Sequence, residues 1–177
     1  QFRTALRDEP SGRVGSASQF VQVPDIDKDR LSTSGLLIRG MPLDSYIKGL
    51  TTAAFLDSGA EDSDPMANTS VRQFRTPSAM VYALAIYNAQ IDKATGKPNL
   101  TIQARLFRNG ELVFTGNALP FDIRDQADPK RLGGGGAIQL GTTMTPGEYV
   151  LQIVVTDRLA KEKYRVATQW MDFEIVQ

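Results

Sequence analysis

The chain has 177 residues, 41% of them hydrophobic, which suits one ordinary domain with a fragment of a second. Its twenty Lys and Arg balance twenty Asp and Glu, and the basic residues are scattered, so no field draws it to nucleic acid or an anionic membrane. It contains no cysteine and no histidine, which excludes disulfides, thiol nucleophiles, Cys/His zinc sites and histidine-based triads. With those groups gone, the sequence is read as that of a chain that is not an enzyme and takes no cofactor.

Residues 1–7 have no charged start followed by an apolar stretch, so no signal peptide is expected. They are expected to form a strand instead, returning over 14–23 as a β-hairpin. Residues 24–30 follow as a linker, because Pro24 and a run of charges end the pairing. Asp25, Asp27 and Asp29 alternate like the start of an EF-hand loop. The sixth position needs Gly and holds Arg30, and the twelfth needs Glu and holds Leu36, so a plain linker is the better reading.

Leu36 to Ile38 mark a short strand, and 40–77 lack alternation. Within that long irregular insertion, 46–56 suit a short helix, and 57–65 form an acidic stretch. Its carboxylates Asp57, Glu61, Asp62 and Asp64 are candidate ligands for an oxygen-liking cation such as Ca²⁺. Their spacing matches no known loop, so a solvated acidic stretch is expected. Residues 78–90 are apolar on both faces and read as a central, covered strand. The longest apolar run, 79–87, is too short to cross a bilayer.

A hairpin is expected over 100–115, turning at Asn109-Gly110, where both residues accept positive φ. A helical turn over 126–132 and a strand over 137–140 come next. Between them, Gly136 and Gly141 carry the spacing of a phosphate-binding P-loop, with Thr142 where the lysine belongs. Alternation over 137–140 and Pro146-Gly147 beyond it exclude the helix a P-loop needs, so the glycines are read as a crossing.

Pro146-Gly147 starts the clearest strand, with Tyr149, Leu151, Ile153 and Val155 on one face and Gln152 and Thr156 on the other. Tyr149 is placed either as a tyrosine corner or as an ordinary core residue. A second long strand, 164–176, carries Trp170, either a core or sheet-edge residue or, with Tyr164, a sugar-stacking platform. Short strands and Pro/Gly turns give an all-β, immunoglobulin-like or fibronectin III-like sandwich over 31–177, with the hairpin 1–23 as an extra element. Strand 1–8 and its return echo strand 150–157 and its return. The hairpin is therefore read as the closing piece of a preceding β-domain, whose exposed edges would dock on the sandwich or pair edge-to-edge with a second copy.

The stretches GSASQFVQVPD (15–25), LSTSG (31–35), VRQFR (71–75), YNA (87–89), DKATG (92–96), RLFRNG (105–110), PGEY (146–149) and AKEK (160–163) carry a resemblance. Together they resemble the C-terminal region of von Willebrand factor A-related proteins of the type found in Acidobacteria. The A-type domain with its Asp-x-Ser-x-Ser metal site is absent. The resemblance implies an exported protein, extracellular or periplasmic, in which this piece is an interaction or spacer module contacting other domains of the parent chain. A ligand-binding module, for carbohydrate or Ca²⁺, is the alternative.

Overall fold

The computed structural model of the chain describes residues 2–19, 26, 30–48, 64–121, 126, 128 and 130–177. In chain order the strands are β1 (Phe2–Arg7), β2 (Val14–Gln19), β3 (Ser32–Thr33), β4 (Leu37–Met41), β5 (Gln73–Arg75), β6 (Ser78–Tyr87), β7 (Leu100–Arg108), β8 (Glu111–Thr115), β9 (Leu119–Pro120), β10 (Arg131–Leu140), β11 (Gly147–Asp157) and β12 (Val166–Val176). One short helix, α1 (Leu43–Ile47), follows β4. Residues 20–25 and 27–29, which include Asp25, Asp27 and Asp29, lie outside the described residues.

β1 and β2 pair antiparallel as a two-stranded sheet of their own, and every residue from 2 to 18 is exposed. The remaining strands form two sheets. In the smaller, β6 is central, with β10 antiparallel along one side and β3 and β4 along the other. In the larger the order is β5-β12-β11-β7-β8, with β9 also beside β7. Its neighbours are antiparallel except β5, which runs parallel to β12.

The two sheets bury their inward faces against each other, giving the all-β sandwich. Ile38, Met80, Ile86 and Leu132 come from one side; Ile102, Leu106, Leu151 and Ile153 come from the other. Each such side chain contributes about 1.5–3 kcal/mol when fully buried. The outward face of β6 is covered too: Ala79 and Val81 pack with Met41, Ala137 and Tyr46 of α1. That is why the sequence of β6 is apolar on both sides. The helix begins at Leu43, earlier than the expected 46, because Pro42 stops β4 and Asp44 favours a first turn. Residues 49–63 are outside the described residues.

The glycine run corrects an expectation. Among the described residues the expected helical turn over 126–132 is not formed, and the glycines do not form a crossing: β10 takes in Arg131, Leu132 and all four of them. They make room for the opposite strand, since a Cβ on Gly136 would lie 2.5 Å from the Tyr82 hydroxyl. The edge of β10 is capped at Gly133. The Gln126 carboxamide accepts from its N–H at 2.6 Å and donates to its carbonyl at 3.0 Å, as a neighbouring strand would. Asn109 and Gly110 have φ of 52° and 82°, the pair of positive values that joins β7 tightly to β8. No helix among the described residues is long and apolar enough to cross a membrane.

Candidate functional site: an aromatic face on the larger sheet

The side chains of β11 alternate between two environments. Tyr149, Leu151, Ile153 and Val155 point inward and are buried. Gln152 points outward as expected, yet it too is buried, at 7% exposure. Register explains the difference. Gln152 lies opposite Trp170 on β12 and opposite Arg105 on β7, and Arg105 in turn lies opposite Thr115 on β8. One pair along, Val150 faces Phe107. The Trp170 and Phe107 rings lean towards each other across β11, with centroids 5.4 Å apart and planes at 49°. They roof the Gln152 side chain.

Trp170 is therefore not core, and among the described residues it lies at the sheet edge, because β5 meets β12 only at Glu174, Ile175 and Val176. It is 52% exposed on the outer face of a stretch of β12 that pairs, among the described residues, with β11 alone. Its aromatic neighbour is Phe107 rather than Tyr164. Tyr164 closes a 3-10 turn (Glu162–Tyr164) and holds cations: the Lys163 ammonium is 4.6 Å and the Arg30 guanidinium 4.8 Å from its ring. The hydrogen bond from Lys163, with the charge of Arg30, keeps its phenol below the usual tyrosine range.

The polar groups of the face are incompletely paired. Arg105 donates through Nε to Gln103 Oε1 at 3.1 Å, and Gln103 Nε2 donates to the Gly116 carbonyl at 3.0 Å. Among the described residues the terminal amino groups of Arg105 have no partner. Gln152 Oε1 is buried without a hydrogen bond. Next to this row, Asp172 is held by Arg72 at 2.9 Å. Leu112 of β8, opposite Phe107, extends the exposed apolar surface at the sheet edge. Phe107 was not singled out from the sequence. The signal was its place two residues after Arg105, on the same face, once the hairpin fixes the register.

The acidic candidates do not assemble. Asp57, Glu61 and Asp62 lie outside the described residues. Asp64 is engaged: its carboxylate pairs with Arg75 and accepts from the Met66 N–H at 2.9 Å. Among the described residues, no group of three or more His, Cys, Asp or Glu side chains is placed to hold a metal ion. The P-loop-like stretch is strand at Gly136 and turn at Thr142 and Thr143, so its amides surround no anion site.

Fold and face together define an all-β sandwich with an exposed aromatic sheet face, an architecture that serves many functions. No family model matches the chain, and no curated protein matches it. Among solved structures it is similar to a family 123 glycoside hydrolase from Clostridium perfringens, studied for glycolipid glycan hydrolysis, at 13% identity and a TM-score of 0.38. The match covers 83% of this chain and 27% of that one, so the chain spans only a minor part of the hydrolase's length. The expectation that the chain is not an enzyme is corrected by this neighbour, a hydrolase, and is given up. The likeness assigns this chain no reaction and no catalytic residue.

Proposed function

We propose that the chain is an interaction module of an exported multidomain protein, and that it makes its contacts through the outer face of the larger sheet. The observation that supports this reading is the position of Trp170. The chain has one tryptophan, and it is half exposed on the outer sheet face, with the Phe107 ring against it and Arg105 in the same cross-strand row. Aromatic and Arg side chains supply most of the energy at recognition surfaces. A spacer needs no such face.

The exported setting, extracellular or periplasmic, and a place downstream of an A-type domain come from the resemblance to von Willebrand factor A-related proteins. That setting makes other domains of the parent chain one class of partner. The ligand-binding alternative draws support from the same face for carbohydrate. It draws none for Ca²⁺, because Asp64 is already occupied by Arg75.

The test immobilises the chain and passes over it the remaining domains of the parent protein and soluble glycans. Trp170→Ala should lose most of the binding while unfolding at the wild-type temperature. A Trp170→Ala variant that binds every partner as the wild type does would remove the reading.

A further inference from the structure

Across β12, β11, β7 and β8 the outer face presents one row: Trp170, Gln152, Arg105 and Thr115. Its members offer unlike chemistry. Trp170 gives a half-exposed aromatic surface, steadied by Phe107. Gln152, nine-tenths buried, offers an acceptor with no donor, and Arg105 offers donors with no acceptor. Buried side-chain polar atoms in folded proteins are nearly always paired, so an orphan beside open donors calls for an explanation.

Resting on the reading of this face as the recognition surface, we propose that the row is a carbohydrate-binding site. A pyranose ring has a flat C–H face and hydroxyls at its rim that donate and accept together. Its C–H face stacks on the Trp170 indole. One rim hydroxyl donates to Gln152 Oε1, and a neighbouring oxygen accepts from the Arg105 amino groups. Turning Trp170 outward unroofs Gln152 and admits the hydroxyl. A purely apolar protein anchor would leave both polar groups unpaired, the costly outcome for desolvated groups.

Because Trp170 is the only tryptophan, its fluorescence reports the site directly. The chain is applied to an array of neutral and acidic glycans. It is then titrated with cellohexaose, mannohexaose and oligogalacturonate and run through gels containing the parent polysaccharides. A saturable change in Trp170 emission with at least one sugar class is expected. Arg105→Ala and Gln152→Met should each bind about tenfold more weakly, the loss of one charge-assisted or buried hydrogen bond. Trp170→Ala should not be retarded in the gels, and all three variants should keep cooperative unfolding. No binding on the array and no change in emission overturn the proposal. So does retention that survives Trp170→Ala. If no sugar binds but Trp170→Ala abolishes binding to the parent's other domains, the sugar assignment falls and the recognition face remains. If nothing depends on Trp170, both fall.

Discussion

The Tyr149 hydroxyl donates to the backbone carbonyl of Thr145 at 2.9 Å, four residues upstream and across the Pro146-Gly147 corner. The ring meanwhile is buried at 5% exposure and stacks on Phe173 with centroids 5.6 Å apart. The two readings left open by the sequence, corner and core, are thus one residue doing both. Tyr149→Phe keeps the ring and removes the bond, so it should cost about 1 kcal/mol in urea unfolding. Tyr149→Ala removes both and should cost about 3–5 kcal/mol. Equal costs for the two variants would mean that the ring contributes nothing.

Neighbours on β11 should respond in opposite ways. Ile153 is fully buried in the core, and Ile153→Ala should cost about 2–5 kcal/mol. Gln152→Ala empties the space under the Trp170 and Phe107 rings and should cost about 1–2 kcal/mol, well beyond a surface substitution. Gln152→Met fills the same space without an orphan acceptor and should gain about 1 kcal/mol. Denaturant titrations of the three variants decide. A loss of stability in Gln152→Met would show that Oε1 finds a partner in solution.

These elements also show what a sequence reader can see. The inward set from Tyr149 to Val155 follows from a period of two, and the β7–β8 turn follows from Asn109-Gly110, because both signals are local. The burial of Gln152 depends on Trp170 and Phe107, which reach it only through the register of two partner strands. Nothing near Gln152 in sequence announces them. The glycines of β10 were misread for a similar reason. Glycine is a poor strand former by itself, and what demands it at position 136 is the Tyr82 ring across the ladder. The candidate site was half legible: Trp170 was marked, but the aromatic partner weighed for it was Tyr164, near in sequence, while its ring neighbour Phe107 comes from another strand.

Asp157 closes the other end of β11. It is completely buried, with Oδ2 accepting from the Gln90 N–H at 2.8 Å and Oδ1 from the Leu159 N–H at 2.9 Å. The carboxylate thereby ties the segment after β6 to the turn after β11. Asp157→Ala leaves two amides without their acceptor and should cost about 3 kcal/mol. Asp157→Asn retains one acceptor oxygen and should cost roughly half of that. Amide hydrogen exchange at Gln90 and Leu159 should accelerate in the alanine variant, and unchanged exchange there would refute the tie.

Tyr82 sets how the sandwich responds to alkali. Burial between the sheets pushes its phenol from 10.0 up to about 12. The folded chain therefore holds this proton more tightly than the unfolded chain does. Below pH 10 both states are protonated and the contribution of Tyr82 is fully present. As pH rises from about 10 to about 12 the unfolded state releases its proton first, and stability falls by up to about 3 kcal/mol. Tyr164 is shifted the other way, but it is common to both chains in a comparison of wild type with Tyr82→Phe. Urea unfolding from pH 9 to pH 12 should therefore give a wild-type curve that falls more steeply than the Tyr82→Phe curve, with the gap opening above about pH 10. Parallel curves would mean that the Tyr82 phenol is hydrated in solution, and that the glycines of β10 need another explanation than its ring.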